Sequence, residues 1–278
     1  MDNPHDWTPG GHDRLTGDPT HVAATKAELL RALHRPGFPV TVPSAWDAAS
    51  ARMVVGAGFT VVATSSTAVA GSLGYDDGEA APIEEMLDAI ARIAASVGVP
   101  VTADVERGYG AGPRELVERL IAAGAAGCTL QDSDPRTGRL LGAGRQADYL
   151  AAVREAAVGT GVSLVINARI DTYLRAVASP SVRLDDVVAR ARRYLLAGAD
   201  CVYPLLVHER SDIGKLVEAT RGRVDVRIRR GTGQTPPPAE LAELGVARIS
   251  FGGSLHQASL RGFHSMLCSI RAGHDPLS

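Results

Sequence analysis

The sequence predicts a closed (β/α)8 barrel, and three observations carry that prediction. Short apolar, β-rich runs recur along the chain, nearly all of them just behind a glycine-containing stop. Amphipathic helical patterns fill the intervals between them. No G-x-G-x-x-G or Walker loop follows any run, although a doubly wound nucleotide-binding sheet would normally carry one.

The elements can be justified in order. The stops read Val55-Gly-Ala-Gly-Phe59, Ser96-Val-Gly-Val99, Ala122-Ala-Gly-Ala-Ala-Gly127, Gly159-Thr-Gly-Val162, Leu196-Ala-Gly-Ala-Asp200 and Leu244-Gly-Val246. A glycine just past a helix supplies the left-handed residue that ends it. Strands are expected at 38–42, 59–64, 99–104, 128–131, 163–168, 201–206, 224–228 and 248–251. Helices are expected over 83–95, 113–123, 147–156, 184–196 and 237–244. Eight βα units in roughly 250 residues is the arithmetic of this barrel. A last helix is expected from 254 to 272, with Leu255, Leu260, Phe263, Met266, Leu267 and Ile270 as an apolar stripe packing on the barrel wall.

Composition bounds the rest. The 278 residues suit a barrel at 23–278 behind a flexible tail at 1–22, whose His5, His12 and His21 are read as solvated. A hydrophobic content of 45% with only 4% aromatics fits helix-on-sheet layers rich in Ala, Val, Leu and Gly. A net charge of −2 and a pI near 6.4 argue against nucleic acid as a partner. No apolar run approaches the ~20 residues of a membrane span. Cys128, Cys201 and Cys268 are odd in number and sit in apolar contexts, which predicts free thiols and a reducing, cytoplasmic setting.

In such barrels the chemistry gathers at the carboxyl ends of the strands. Those ends read Pro43-Ser-Ala-Trp-Asp47, Thr64-Ser-Ser-Thr67 with Gly71-Ser-Leu-Gly-Tyr-Asp-Asp-Gly-Glu79, Asp104 with Glu106, Gln131-Asp-Ser133, Asn167-Ala-Arg-Ile-Asp171, Arg227 to Arg230, and Gly252-Gly-Ser254. Strand residues two apart share a face, so Asp104 and Glu106 are expected to converge on one point. Carboxylate oxygens are the ligands that Mg²⁺ prefers. Arg169, between Asn167 and Asp171, is expected to grip a carboxylate.

Taken in order, Val42-Pro-Ser-Ala-Trp-Asp-Ala-Ala-Ser-Ala51, Ala63-Thr-Ser-Ser-Thr67, Ser72-Leu-Gly-Tyr-Asp-Asp-Gly78, Thr102-Ala-Asp-Val-Glu-Arg-Gly-Tyr-Gly110, Leu130-Gln-Asp-Ser133 and Asn167-Ala-Arg169 resemble the isocitrate lyase and phosphoenolpyruvate mutase superfamily, in its phosphonomutase-like branch. The resemblance implies Mg²⁺ (or Mn²⁺) held by Asp104 with Glu106 as outer companion, and Gln131 beside them. It implies a catalytic Asp77 on a loop near the metal, and Ser65, Ser66 and Thr67 around a substrate oxyanion. Arg169 then binds the substrate and its developing charge, with Trp46, Asp47 and Asn167 also expected on the substrate. Members cleave or form a C–C or P–C bond beside the ketone of a small anionic 2-oxo acid through an enolate. They also swap the C-terminal helix between subunits, so a homodimer or homotetramer is expected.

Three departures qualify the resemblance. Gln131 stands where the family usually has Glu, removing a charge. The loop Asp132-Ser-Asp-Pro-Arg-Thr-Gly-Arg-Leu-Leu-Gly-Ala-Gly-Arg145 lacks the Cys and His of the lyases' gating loop, which argues against isocitrate-type cleavage by a thiol acid. In that loop Asp134, Arg136 and Arg139 are candidates for closing over an anionic substrate, with a solvated loop the plainer reading. The seventh strand carries Arg227, Arg229 and Arg230, to which the sequence assigns no role. Two other readings stand beside the lyase/mutase one: a catalytically diminished barrel that binds or scaffolds, and a biosynthetic C–C lyase on a larger substrate.

Overall fold

A computed structural model describes residues 19–175, 180–229, 231 and 233–275. The expected tail at 1–18, and Arg230, lie outside them. Helix α1 (Pro19–Leu33) begins inside the stretch expected to be tail.

The strands are β1 (Val40–Val42), β2 (Ser44–Ala45), β3 (Val62–Thr64), β4 (Val101–Asp104), β5 (Gly127–Gln131), β6 (Val165–Ile170), β7 (Cys201–Pro204), β8 (Asp225–Arg227) and β9 (Arg248–Ser250). All pairings are parallel, in the orders β2-β3-β4-β5-β6-β7 and β1-β9-β8. A parallel bridge from Val202 to Val224 joins β7 to the segment leading into β8. Strands β1 and β2 are one barrel position, divided at Pro43, whose nitrogen cannot donate. The carbonyl of Pro43 still accepts from the Ala63 N–H at 2.9 Å, so the wall is continuous. The result is the eight-position barrel that the sequence predicts.

The strands expected from 38, 59, 99 and 163 start two or three residues late, at Val40, Val62, Val101 and Val165. Phe38 is 71% exposed and Phe59 36%, because both lie ahead of their strands at the amino-terminal rim. Between the strands run α2 (Ala48–Gly56), α3 (Ser66–Leu73), α4 (Ile83–Ala95), α5 (Pro113–Ala122), α6 (Ala143–Gly159), α7 (Thr172–Arg175), α8 (Pro180–Leu196), α9 (Arg210–Thr220) and α10 (Pro238–Leu244). Helix α4 shows why they dock: Met86, Ala89, Ile90, Ile93 and Ala94 are buried on one stripe at helical spacing. The backbone is tightest at Gly127, where a Cβ would stand 2.6 Å from the Val165 carbonyl oxygen, so only glycine lets β5 and β6 approach there.

The amino-terminal end of the barrel is closed by α1. Its Leu30 packs with Val40, Val42, Val61 and Val165. Asp200 then ties three elements together, accepting from Arg31 Nε at 2.9 Å, from Arg154, and from the Ile166 N–H at 2.8 Å. With that end sealed, the carboxyl end is left open for chemistry.

Helix α11 (Ser254–Arg271) corrects an expectation. It has no buried residue, and Leu260, Phe263, Met266, Leu267 and Ile270 are exposed. The stripe therefore does not pack on the chain's own barrel wall. The start of the helix meets the barrel, where the His256 ring lies tilted against Trp46 with centroids 4.8 Å apart.

Candidate active site

At the carboxyl end of the barrel a cavity of about 280 Å³ is walled by the ends of β3, β4, β6, β7, β8 and β9. Its lining includes Ser65, Ser66, Thr67, Asp77, Asp104 and Arg169, all expected from the sequence.

The polar wall is built around the start of α3. Ser65 is the N-cap of that helix but makes no side-chain cap hydrogen bond. Asp104, the last residue of β4, fills that role from across the sheet: its Oδ2 accepts from Ser66 N–H and Ser66 Oγ, each at 3.2 Å. Its own N–H donates to Thr64 Oγ1 at 2.9 Å, which sets the height of the carboxylate. Asp77, exposed at the rim, leans onto the same hydroxyls, with Oδ1 3.2 Å from Ser66 Oγ and Oδ2 2.9 Å from Thr67 Oγ1. Two carboxylates thus meet over one serine. Burial pushes the Asp104 carboxyl above its usual range, Arg169 and the Ser66 N–H pull it down, and Asp77 pushes it up again.

Glu106 does not join them as expected. Strand β4 ends at Asp104, and Glu106 takes a left-handed backbone (φ 48°), so the strand alternation stops before reaching it. Its Oε1 accepts from Glu79 N–H at 2.9 Å and from the Tyr109 hydroxyl at 3.1 Å, and it lies outside the cavity lining. Burial first, then the charges of Asp77 and Asp104, push its carboxyl up to about 7. Glu79 answers by accepting from Arg107 N–H and Tyr109 N–H at 3.1 and 2.7 Å, which laces the Asp77 loop to the turn after β4.

Gln131, expected beside the metal, is also elsewhere. Its side-chain amide donates to the Ser133 carbonyl at 3.3 Å, and it does not line the cavity. The Glu-to-Gln departure therefore removes charge beneath the loop after β5 rather than from the cavity wall. Trp46 and Asp47 are corrected as well. Asp47 caps α2 in a reciprocal box with Ser50, its Oδ1 taking the Ser50 N–H at 2.7 Å, and Trp46 packs on α3 and His256. Neither lines the cavity. Asn167 lies under it, buried, with Nδ2 on Asp225 Oδ2 at 2.9 Å and Thr129 Oγ1 at 3.3 Å.

Arg169 enters the cavity already held. Asp171 takes its Nε and Nη2, and Asp171 also accepts from Ser133 Oγ. Behind it, buried Asp132 accepts the Asp171 N–H at 2.8 Å and is held in turn by Arg190 and the Tyr194 hydroxyl. Burial alone would lower the guanidinium's proton affinity, but Asp171 and Asp104 raise it further, so Arg169 stays charged.

Sequence reasoning missed Tyr203, Asp225, Arg248 and Ser250, all of which line the cavity, and gave Arg227 no role. The signal was the two-residue alternation within strands: Asp225 and Arg227 on β8, and Arg248 and Ser250 on β9, each share a face. Asp134 and Arg136 line a separate cleft of about 570 Å³ with Arg107 and Tyr149, not this cavity, and Arg139 lines neither.

The donor set fits a hard divalent cation. Asp77 and Asp104 turn carboxylate oxygens toward one hydroxyl, and like charges so placed are relieved by a cation. Among the described residues no group of three His, Cys, Asp or Glu side chains forms a metal cage. A cation between Asp77 and Asp104 would fill its remaining positions with water and substrate oxygens, as Mg²⁺ commonly does with one or two carboxylates. Cys128 is enclosed in β5, where burial pushes its thiol up to about 12, and no cysteine is among the described residues that line the cavity.

Known proteins resemble the chain over most of its length. A crystal structure described as a candidate phosphonomutase from Burkholderia cenocepacia superposes with a TM-score of 0.81 at 39% identity, covering 87% of this chain and 98% of the other. The chloroplastic carboxyvinyl-carboxyphosphonate phosphorylmutase of Arabidopsis thaliana is 32% identical over 90% of this chain and 76% of its own. An oxaloacetate decarboxylase of Rhodopseudomonas palustris is 29% identical over 89% and 85%. The sequence pattern of phosphoenolpyruvate phosphomutase matches residues 30–271, and the chain belongs to that family.

Proposed function

We propose that the protein is a Mg²⁺-dependent enzyme that cleaves or forms the C–C or P–C bond beside the ketone of a small anionic 2-oxo acid, through an enolate. The observation that carries this reading is the joint placement of Asp104, Asp77 and Arg169 around one small cavity. Asp104 would hold the cation, with Asp77 and the laced turn at Glu106 as its outer support. When bound, the cation supplies a Lewis acid that draws off charge from the substrate oxygens.

The remaining chemistry belongs to the chain. Breaking the bond leaves negative charge on the former ketone oxygen. Arg169, fixed by Asp171, meets that charge without having to reorient, and one such donor contributes ~3 kcal/mol to the transition state. Ser65, whose hydroxyl makes no cap hydrogen bond, is the donor left for the substrate's oxygens, because the Ser66 and Thr67 hydroxyls already give theirs to Asp104 and Asp77. The volume of about 280 Å³ favours a small substrate over a large one. The intact Arg169–Asp171 pair favours a working site over a retired scaffold. The exposed stripe on α11 supports a homo-oligomer in which a second copy covers it.

Phosphonopyruvate, oxaloacetate and 2-methylisocitrate, each assayed with and without EDTA, test the reading. Turnover of one of the first two should vanish with chelator and return with Mg²⁺, while 2-methylisocitrate, lacking its thiol acid, should stay intact. Turnover that ignores the chelator contradicts it.

A further inference from the structure

Four successive positions around the barrel face the same cavity: Arg169 on β6, Tyr203 on β7, Arg227 on β8 and Ser250 on β9. Arg169 is in register with Tyr203, and Arg227 with Ser250. Strand β7 lies between β6 and β8, so Tyr203 stands between the positions that carry the two guanidiniums. The cavity therefore has two cationic poles separated by a phenol ring.

The cations of the wall are not equivalent. Arg169 is paired with Asp171 at 2.7 Å and Arg248 with Asp225 at 3.0 Å. Arg227 has no carboxylate partner among the described residues. Its Nη2 donates to Ser254 Oγ at 3.1 Å, and its buried Nε has no hydrogen-bond partner among those residues. The turn beside it is shaped to admit the guanidinium. A Cβ on Gly252 (φ 54°) would stand 3.0 Å from both Cζ and Nε of Arg227. A cation half-withdrawn from water and given only a hydroxyl is costly unless an anion arrives.

We propose that Arg227 is the specificity residue that receives the second anionic group, phosphonate or carboxylate, of a dianionic 2-oxo acid. The proposal rests on the 2-oxo acid reading above and extends it: Arg169 and the Asp104 side take the 2-oxo acid end, and Arg227 takes the far end. Ser254 steadies the guanidinium, and Gly252 leaves the room. A monoanionic 2-oxo acid leaves this pole unanswered and is selected against.

The test compares wild type, Arg227→Gln and Arg227→Lys with three probes in the presence of Mg²⁺: oxalate, which fills only the 2-oxo acid end, phosphonopyruvate and oxaloacetate. Dissociation constants come from calorimetry, or KM where a compound is turned over. Arg227→Gln should weaken at least one dianion by about 30-fold or more while oxalate changes less than about 3-fold, as expected for loss of one charge-assisted contact. Arg227→Lys, which keeps the charge but not the fork, should fall between. The dianion hit harder identifies the far group as phosphonate or carboxylate. Equal weakening of all three probes, or no change in either dianion, overturns the proposal, as does a wild type that binds neither dianion. If wild type binds the dianions but not oxalate, the enolate reading fails on its own, and the Arg227 comparison still decides this one.

Discussion

Asp171 grips Arg169 along one edge of its guanidinium, taking Nε at 2.7 Å and Nη2 at 3.2 Å. The acid that the sequence placed beside Arg169 is thus its anchor, on a side chain that lines the cavity. Asp171 is buried and its N–H donates to Asp132, which Arg190 holds, so this cavity cation is set by a relay running out to α8.

Asp171→Asn should therefore lower kcat by about 100-fold, the scale of one misplaced transition-state donor. Arg169→Lys should do at least as much, because an ammonium cannot hold Asp171 and the substrate together. Steady-state kinetics checks both, with circular dichroism confirming the fold.

Asp104→Asn should abolish activity yet leave thermal stability equal or higher. Burial raises this carboxyl in the folded chain, so its ionised form opposes folding at neutral pH, and the amide removes that opposition. Thermal unfolding without added metal checks it, and a large drop in Tm would be inconsistent with this account of Asp104.

Asp200→Asn should do the reverse. It loosens the clasp on Arg31, Arg154 and the Ile166 N–H at the closed end of the barrel, far from the cavity. A loss of about 2–4 kcal/mol in urea unfolding with KM unchanged is expected.

His34 gives the fold an acid weakness. Its Nδ1 donates to the Leu30 carbonyl at 2.7 Å, and burial, then Arg248, depress it from 6.5 to about 4. The unfolded chain takes up a proton near 6.5 that the folded chain refuses until about 4, so stability falls as pH drops through that window and is flat above it. His34→Asn should remove up to about 2 kcal/mol of that loss, measured as unfolding midpoints between pH 7 and 4.

Much of this was legible in the sequence for a physical reason. Apolar periodicity and glycine stops report the barrel directly, and α4 falls at the expected 83–95. That Ser66, Asp77, Asp104 and Arg169 share one cavity was legible because they stand at or just after strand ends, which form one rim in such a fold. Glu106 was misplaced because a strand's alternation was extended one turn past its end, where a positive φ redirects the side chain. Trp46 and Asp47 were misread because a helix cap and a packing aromatic look like site residues when only their position in the chain is known. Tyr203, Asp225 and Arg248 went unread because they lie inside strands that composition alone marks as wall. The exposure of α11 was invisible because an apolar stripe does not say whose surface it meets.

The most direct test of the central claim is calorimetric titration of oxalate into wild type and Asp104→Asn, each with Mg²⁺ and with EDTA. Tight binding in wild type with Mg²⁺ only, lost in Asp104→Asn, is the expected result. Oxalate binding that survives EDTA or the Asp104 substitution would contradict it.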